Sequence, residues 1–301
     1  MDTNRAEGVL LGLACGDALG RPVEFTPAGQ IAADHGTLTE MIGYGTWNQP
    51  AGTLTDDTEQ ALCIARSLVE RGRFDPKDVA ERFVEWYDSE PFDIGIMTRE
   101  SIAALKAGSP WNEAGHRVWE ASAEGANAGN GSVMRCPPLA LAFSDDPSTL
   151  ERVSRDSSRI THADPRCTYG CAVLNLTIAG VLQDDPDPLG KAIAHVRSNA
   201  PKELVSALEP IANDGEIEAL STSGYVIDSL QTALHDAFRA DGADEAIITA
   251  INRGGDTDTI GAITGAVAGA RFGASALPKR WVDTIEEQRE LTRHAEQLRD
   301  L

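Results

Sequence analysis

Two rows of glycine constrain this chain more than any other feature. Gly8, Gly12, Gly16 and Gly20 recur every four residues, and so do Gly261, Gly265, Gly269 and Gly273. Both rows sit in apolar segments with helical character, where an interior glycine costs about 1 kcal/mol relative to alanine. Residues four apart share one helical face, so each row forms a groove free of side chains into which another backbone can settle. A membrane version of the pattern is excluded, because the late apolar stretch from Ile260 to Ala270 falls well short of the roughly 20 residues a bilayer crossing needs. Tight packing in a core is the expectation. If the two helices pack on each other, the loops attached to them meet at one place.

The remaining periodicity is helical almost throughout. Thr58 to Glu70 places Ala61, Leu62, Ala65, Leu68 and Val69 on one stripe. Asp75 followed by Pro76 is an N-cap and a first-turn proline opening a helix from Lys77 to Tyr87. Further helices are expected over 95–107, 112–122, 149–159, 166–183, 188–199, 226–239, 243–252 and 279–300. Alternating runs bounded by turns are scarce, and breakers such as Asp184-Asp185-Pro186-Asp187-Pro188 are short. The expectation is an all-α chain forming one domain over residues 1–301, a compact helical bundle.

Composition narrows the partners. The 301 residues carry 47 acidic against 26 basic side chains, a formal charge of -21. Binding to nucleic-acid polymers needs clustered Lys and Arg, so that class is set aside. The scarcity of lysine beside abundant Asp and Arg resembles proteins adapted to high salt, which concerns habitat and not chemistry. Five cysteines, Cys15, Cys63, Cys136, Cys167 and Cys171, form no CxxC pair and read as reduced thiols. With no signal-peptide pattern and no membrane span, a cytoplasmic protein is expected, monomeric or weakly oligomeric.

Two acid-rich segments precede helices: Thr55-Asp56-Asp57-Thr58, and Gly254-Gly255-Asp256-Thr257-Asp258-Thr259. Thr and Asp are good N-caps and acids suit the positive end of a helix dipole, which accounts for either segment alone. Capping needs one such residue, however, and each segment has four. If the segments converge, like charges about 4 Å apart repel by about 4 kcal/mol at an effective dielectric of 20. A bound divalent cation reverses that sign, and a carboxylate and hydroxyl donor set points to Mg²⁺, Mn²⁺ or Ca²⁺ over zinc. An EF-hand is excluded, because Ile260 and Val267 fall where its loop needs oxygen ligands. Gly125 to Arg135 is a glycine-rich loop able to approach a phosphate, although it is neither a Walker A nor a Rossmann sequence. His162, in Thr161-His162-Ala163-Asp164-Pro165, adds a loop histidine.

Each signal alone has an ordinary structural explanation. In order, however, GDALGRPVE over 16–24, TDDT over 55–58, NGSVMR over 130–135, THADP over 161–165 and GGDTDTIGAITGAVAGARFG over 254–273 resemble the ADP-ribosylglycohydrolase family. The resemblance spans about residues 6–273. Asp93-Ile94-Gly95 and Gly224 to Leu230 look most like its bacterial branch that includes dinitrogenase reductase-activating glycohydrolase. The resemblance implies a central cleft holding two divalent cations, Mg²⁺ or Mn²⁺. It implies Thr55, Asp56 and Asp57 as ligands from one side and Asp256, Asp258 and Thr259 from the other. Glu24 matches a family acid near the metals and the scissile bond, and Asp93 a carboxylate that helps activate water or substrate. Gly129, Asn130, Gly131, Ser132 and His162 would line the ADP-ribose pocket, with Tyr225 stacking.

The implied activity is hydrolysis of the glycosidic bond between ADP-ribose and an acceptor, an arginine or serine side chain, reversing ADP-ribosylation. Asp57 or Asp93 would take the proton of the attacking water, and Glu24 or a metal-bound group would assist departure. Two alternatives stay open: hydrolysis of a small ADP-ribosyl metabolite or nucleoside conjugate, and a non-catalytic, crystallin-like member that binds ADP-ribose.

Overall fold

In the computed structural model, which describes residues 1–123, 125–217 and 219–301, the glycine rows interlock. The Thr3–Gly20 and Thr257–Phe272 helices run antiparallel through the centre of the molecule. A β-carbon placed on Gly8, Gly12 or Gly16 would stand 2.3, 2.1 or 1.9 Å from the carbonyl oxygen of Gly269, Gly265 or Gly261, respectively. Gly20 meets the carbonyl of Thr257 in the same way, at 2.3 Å. No side chain of any size fits these contacts, which is the compensating reason the helices tolerate so much glycine. Gly273 leaves the row: it ends its helix at φ 84°, packed against the Asn4 side chain.

Both central helices are apolar on every side and buried along nearly their whole length, as is Pro165–Leu182. Amphipathic helices wrap them, among them Asp56–Arg71, Val226–Arg239 and Gln288–Arg299. One contiguous apolar core reaches from Ala6 to Leu298. The all-α expectation holds. Among the described residues the one sheet is a two-residue antiparallel ladder pairing Thr26 with Gly255 and Pro27 with Gly254. Among the described residues no helix is long and apolar enough to cross a membrane.

Several boundaries differ from the sequence reading. The 279–300 segment is two helices, Lys279–Val282 and Gln288–Arg299, because the intervening chain turns to bury Ile285 and to donate from the Glu286 N–H to the Gly52 carbonyl. Thr284 there presses its carbonyl against Gly52, where a β-carbon would stand 2.0 Å away. A tertiary contact, not a local breaker, ends the helix. Ala28–His35 and Lys202–Ala212 are additional helices; the latter carries Pro210 inside it, which masks it in a propensity reading.

Candidate active site

Antiparallel pairing of the central helices brings the end of one to the beginning of the other. Asp17, in the last turn of Thr3–Gly20, is fully buried and accepts from the N–H groups of Thr55 and Thr58 at 3.1 and 3.3 Å, as well as from the Thr58 hydroxyl. That contact fixes the N-terminus of Asp56–Arg71, for which Thr55 is the N-cap. Asp256 caps Thr257–Phe272, and the Thr257 hydroxyl donates to the Gly20 carbonyl at 2.8 Å. The two acid-rich segments are thus the opening turns of two helices hung from the same end of the glycine seam.

They converge on one cavity of about 350 Å³. Glu24, Asp56, Asp57, Asp93, Asp256, Asp258 and Thr259 all line it, together with Gly129, Asn130, Gly131 and His162. Carboxylate oxygens of Glu24, Asp93 and Asp258 lie within 4.8 Å of one another, close enough to share one cation. Thr55 stands behind this floor, donating its hydroxyl to Asp57 Oδ2 at 3.0 Å. Asp57 Oδ1 is buried with no hydrogen-bond partner. Asp56 accepts from the Gln60 amide at 3.1 Å, and Asp256 from the Asn130 amide.

The electrostatics are those of a site built for positive charge. Burial, followed by repulsion from neighbouring acids, drives Asp56, Asp57 and Asp258 well above the ordinary carboxylate range. Burial and the Asp93 charge push Glu24 up to about 8; burial and the Asp17 and Asp256 charges push Asp93 to about 7. Part of this is offset at Asp56 by the charge of Arg135, buried against the Phe83 ring 4.4 Å away and hydrogen-bonded to Gln60 and Thr161. An unpartnered buried carboxylate oxygen amid acids with all-oxygen donors fits a hard divalent cation.

Glu24 and Asp93 reach the cavity from separate loops. Glu24 ends a short 3₁₀ turn, and its carboxylate accepts from the Trp47 indole N–H. Trp47 packs at 5.9 Å, tilted, on Phe92, the residue before Asp93. Arg21 locks the loop that carries Trp47, donating to the carbonyls of Tyr44, Gln49, Pro50 and Thr53 at 2.8 to 3.2 Å.

The opposite wall is glycine-rich. Gly129 pairs with Tyr225 through an isolated antiparallel bridge, while the Asn130 N–H donates to Gly224 and the Val226 N–H to Ala128. A β-carbon on Gly131 would stand 2.9 Å from the His162 ring, so the loop can lie against that ring only without a side chain. His162 is buried and held neutral, its pKa lowered to about 3 by burial and by Arg135. Ser132 does not line the cavity: it is buried behind the loop, accepting from the Ser158 hydroxyl at 2.9 Å. Tyr225 stands at the edge, outside the cavity wall, its hydroxyl 3.4 Å from Arg166. Asp164 anchors the Arg166 guanidinium through two hydrogen bonds of 2.8 Å, and Arg166 also reaches Asn127.

Sequence reasoning overlooked Asp17, Trp47, Arg21 and Arg135. For Asp17 a signal existed, an acid closing the apolar run Val9–Cys15 inside a helix; for Trp47 nothing local marks the partnership with Glu24.

Known proteins share this architecture. The chain is 34% identical to the ADP-ribosyl-[dinitrogen reductase] glycohydrolase of Rhodospirillum rubrum, over 98% of this chain and 95% of that protein. It is also 34% identical to the ADP-ribosylarginine hydrolase Tri1 of Pseudomonas putida, over 99% of this chain and 78% of that one. A solved ADP-ribosylglycohydrolase-related protein complex superposes with a TM-score of 0.84 at 34% identity, covering 99% of this chain and 98% of its own. The ADP-ribosylglycohydrolase profile matches residues 2–301, and the chain belongs to that family of enzymes, which hydrolyse glycosidic bonds.

Proposed function

We propose that this protein removes ADP-ribose from the side chain of an acceptor protein by hydrolysis that depends on two divalent cations, Mg²⁺ or Mn²⁺, with residues 1–301 acting as one unit. The observation that carries the reading is the meeting of six carboxylates at the floor of a cavity whose opposite wall is glycine-rich backbone. Arginine is the favoured acceptor, because the Pseudomonas relative is named for that substrate.

In this reading Thr55, Asp56 and Asp57 hold the cations from one side and Asp256, Asp258 and Thr259 from the other. Such ions supply Lewis acidity that activates water and orients ribose hydroxyls. The chain's own residues do the rest. Gly129, Asn130, Gly131 and His162 seat the ADP-ribose, with the neutral His162 ring offering a hydrogen bond without charge. Ser132 supports the loop from behind, and Tyr225 borders the nucleotide end. The scissile bond joins the anomeric carbon of the distal ribose to the acceptor heteroatom, and its cleavage develops oxocarbenium character that flanking carboxylates stabilise. Water adds to the anomeric carbon as that bond breaks. Asp57 or Asp93 takes the water's proton. Glu24, oriented by Trp47, donates a proton to the departing heteroatom.

The test is hydrolysis of arginine- and serine-ADP-ribosylated peptides with and without EDTA, using wild type, Asp57→Asn and Asp256→Asn. Activity is expected to need the cation and to fall at least 100-fold in either variant. Undiminished turnover in EDTA would falsify the cation requirement. ADP-ribose binding without any turnover would instead favour a binding protein.

A further inference from the structure

Exposed large apolar side chains are few in this molecule. Among the described residues they are Phe25, Tyr44 and Ile96, with Met1 and Leu301 at the chain ends. Phe25 and Ile96, 66% and 71% exposed, both line the acidic cavity at its mouth. Tyr44 lies on the loop carrying Trp47, which lines the cavity as well. Isolated exposed hydrophobics need no explanation, but here every instance away from the chain ends falls at or near one opening.

Backbone strain makes the placement of Phe25 more telling. Its φ is 61°, a left-handed conformation that bulky residues rarely adopt. It is held there by its N–H, which donates to the Gly255 carbonyl at 2.7 Å, and by the adjoining Thr26–Gly255 pair. The kink separates consecutive side chains: Glu24 is buried in the cavity and Phe25 stands in solvent. Strained residues persist where the surroundings over-determine them, and they cluster at functional sites. Ile96 repeats the arrangement on the other loop. It opens the Ile96–Lys106 helix three residues after Asp93, exposed beside a buried Met97.

Glu24 therefore has an exposed apolar residue next to it in the chain, and Asp93 has one three residues on. Whatever bears the acceptor heteroatom must leave the cavity past this pair. We propose that Phe25 and Ile96 form an apolar lip that selects acceptor proteins, taking up aliphatic side chains that flank the modified residue. This rests on the hydrolase reading above and deepens it: the acceptor is a polypeptide with apolar neighbours, not a free conjugate. Apolar contact suits the position, since it adds affinity without adding charge to a strongly acidic chain.

The experiment uses two peptides ADP-ribosylated on a single arginine, one flanked by leucines and one by serines. Wild type, Phe25→Asn, Phe25→Leu and Ile96→Ser are compared by the ratio of kcat/KM for the two peptides within each protein. Asparagine tolerates the left-handed backbone, so Phe25→Asn removes the ring without adding strain. Wild type is expected to favour the leucine-flanked peptide about tenfold, through KM and not kcat, the scale of one modest interface anchor. That ratio collapses toward one in Phe25→Asn and Ile96→Ser and is kept in Phe25→Leu. A wild-type ratio near one, or a ratio that survives both polar substitutions, overturns the lip. Should wild type hydrolyse neither peptide, the arginine-hydrolase reading fails by itself. Calorimetric binding of the two peptides then decides the lip, and equal affinities overturn it.

Discussion

The carbonyl oxygen of Gly261 lies 1.9 Å from where a β-carbon on Gly16 would be. The two backbones touch with nothing between them, and the same contact recurs between Gly12 and Gly265 and between Gly8 and Gly269. Both acid-bearing turns hang from one end of this seam.

Gly12→Ala and Gly265→Ala should each cost about 1 to 3 kcal/mol, because the clash is with backbone that cannot rotate away. Gly29→Ala is the control. Gly29 lies in the Ala28–His35 helix with nothing within 4 Å of its β-carbon position, so alanine there should stabilise by about 0.5 to 1 kcal/mol. Urea unfolding of the three variants checks the opposite signs.

Cation removal should reverse the slope of stability against pH. Glu24 and Asp93 have folded pKa values raised to about 8 and about 7. With raised values the native state binds protons that the unfolded chain releases near pH 4. Their contribution is full below that pH and is lost as pH climbs through 7 to 8. The chelated protein should therefore melt lower at pH 8.5 than at pH 5.5, and excess Mg²⁺ or Mn²⁺ should flatten or invert the trend. In the chelated protein Asp57→Asn should raise Tm at pH 8, since it removes one of several repelling charges, while abolishing most of the rise that the cation confers. Differential scanning calorimetry with and without chelator reads both effects.

Asp17 touches the cavity only through others, accepting from the Thr55 and Thr58 backbone N–H groups and the Thr58 hydroxyl. Asp17→Asn replaces one acceptor oxygen with a donor and should weaken cation affinity about 10- to 100-fold. Titration calorimetry with Mn²⁺ checks this, and an unchanged affinity would count against a positioning role.

His162 should show no titration between pH 5 and 8 by NMR, given a pKa lowered to about 3. The unfolded histidine binds a proton near 6.5, so this residue subtracts stability as pH falls below that value. His162→Gln should remove that part of the acid sensitivity, measurable as a shallower fall in urea midpoint from pH 7 to 5.

Much of the fold was legible because one feature, glycine at every fourth position, has few solutions in a soluble helical chain. The seam, the buried central helices and the placing of the Asp256–Thr259 turn at its end follow from it, while the Thr55–Asp57 turn is seated beside them by Asp17. What stayed hidden depends on contacts distant in sequence. Nothing near Glu286 signals that Gly52 will end the 279–300 helix. Nothing near Glu24 signals that its carboxylate meets an indole more than twenty residues on. Ser132 carries the right chemistry for a binding loop, yet its side chain turns toward Ser158, a choice made by the helix behind it.

The interlocked rows also bear on how such chains can change in length. Inserting one residue between Gly8 and Gly20 would swing every later glycine by about 100° around its helix and set side chains against backbone. Inserting four would restore the row, but would move the Asp17 end about 6 Å along the seam, away from its partners at Thr55 and Thr257. Exposed loop tips tolerate added residues, whereas this pair of helices works as a ruler whose divisions cannot be added or removed.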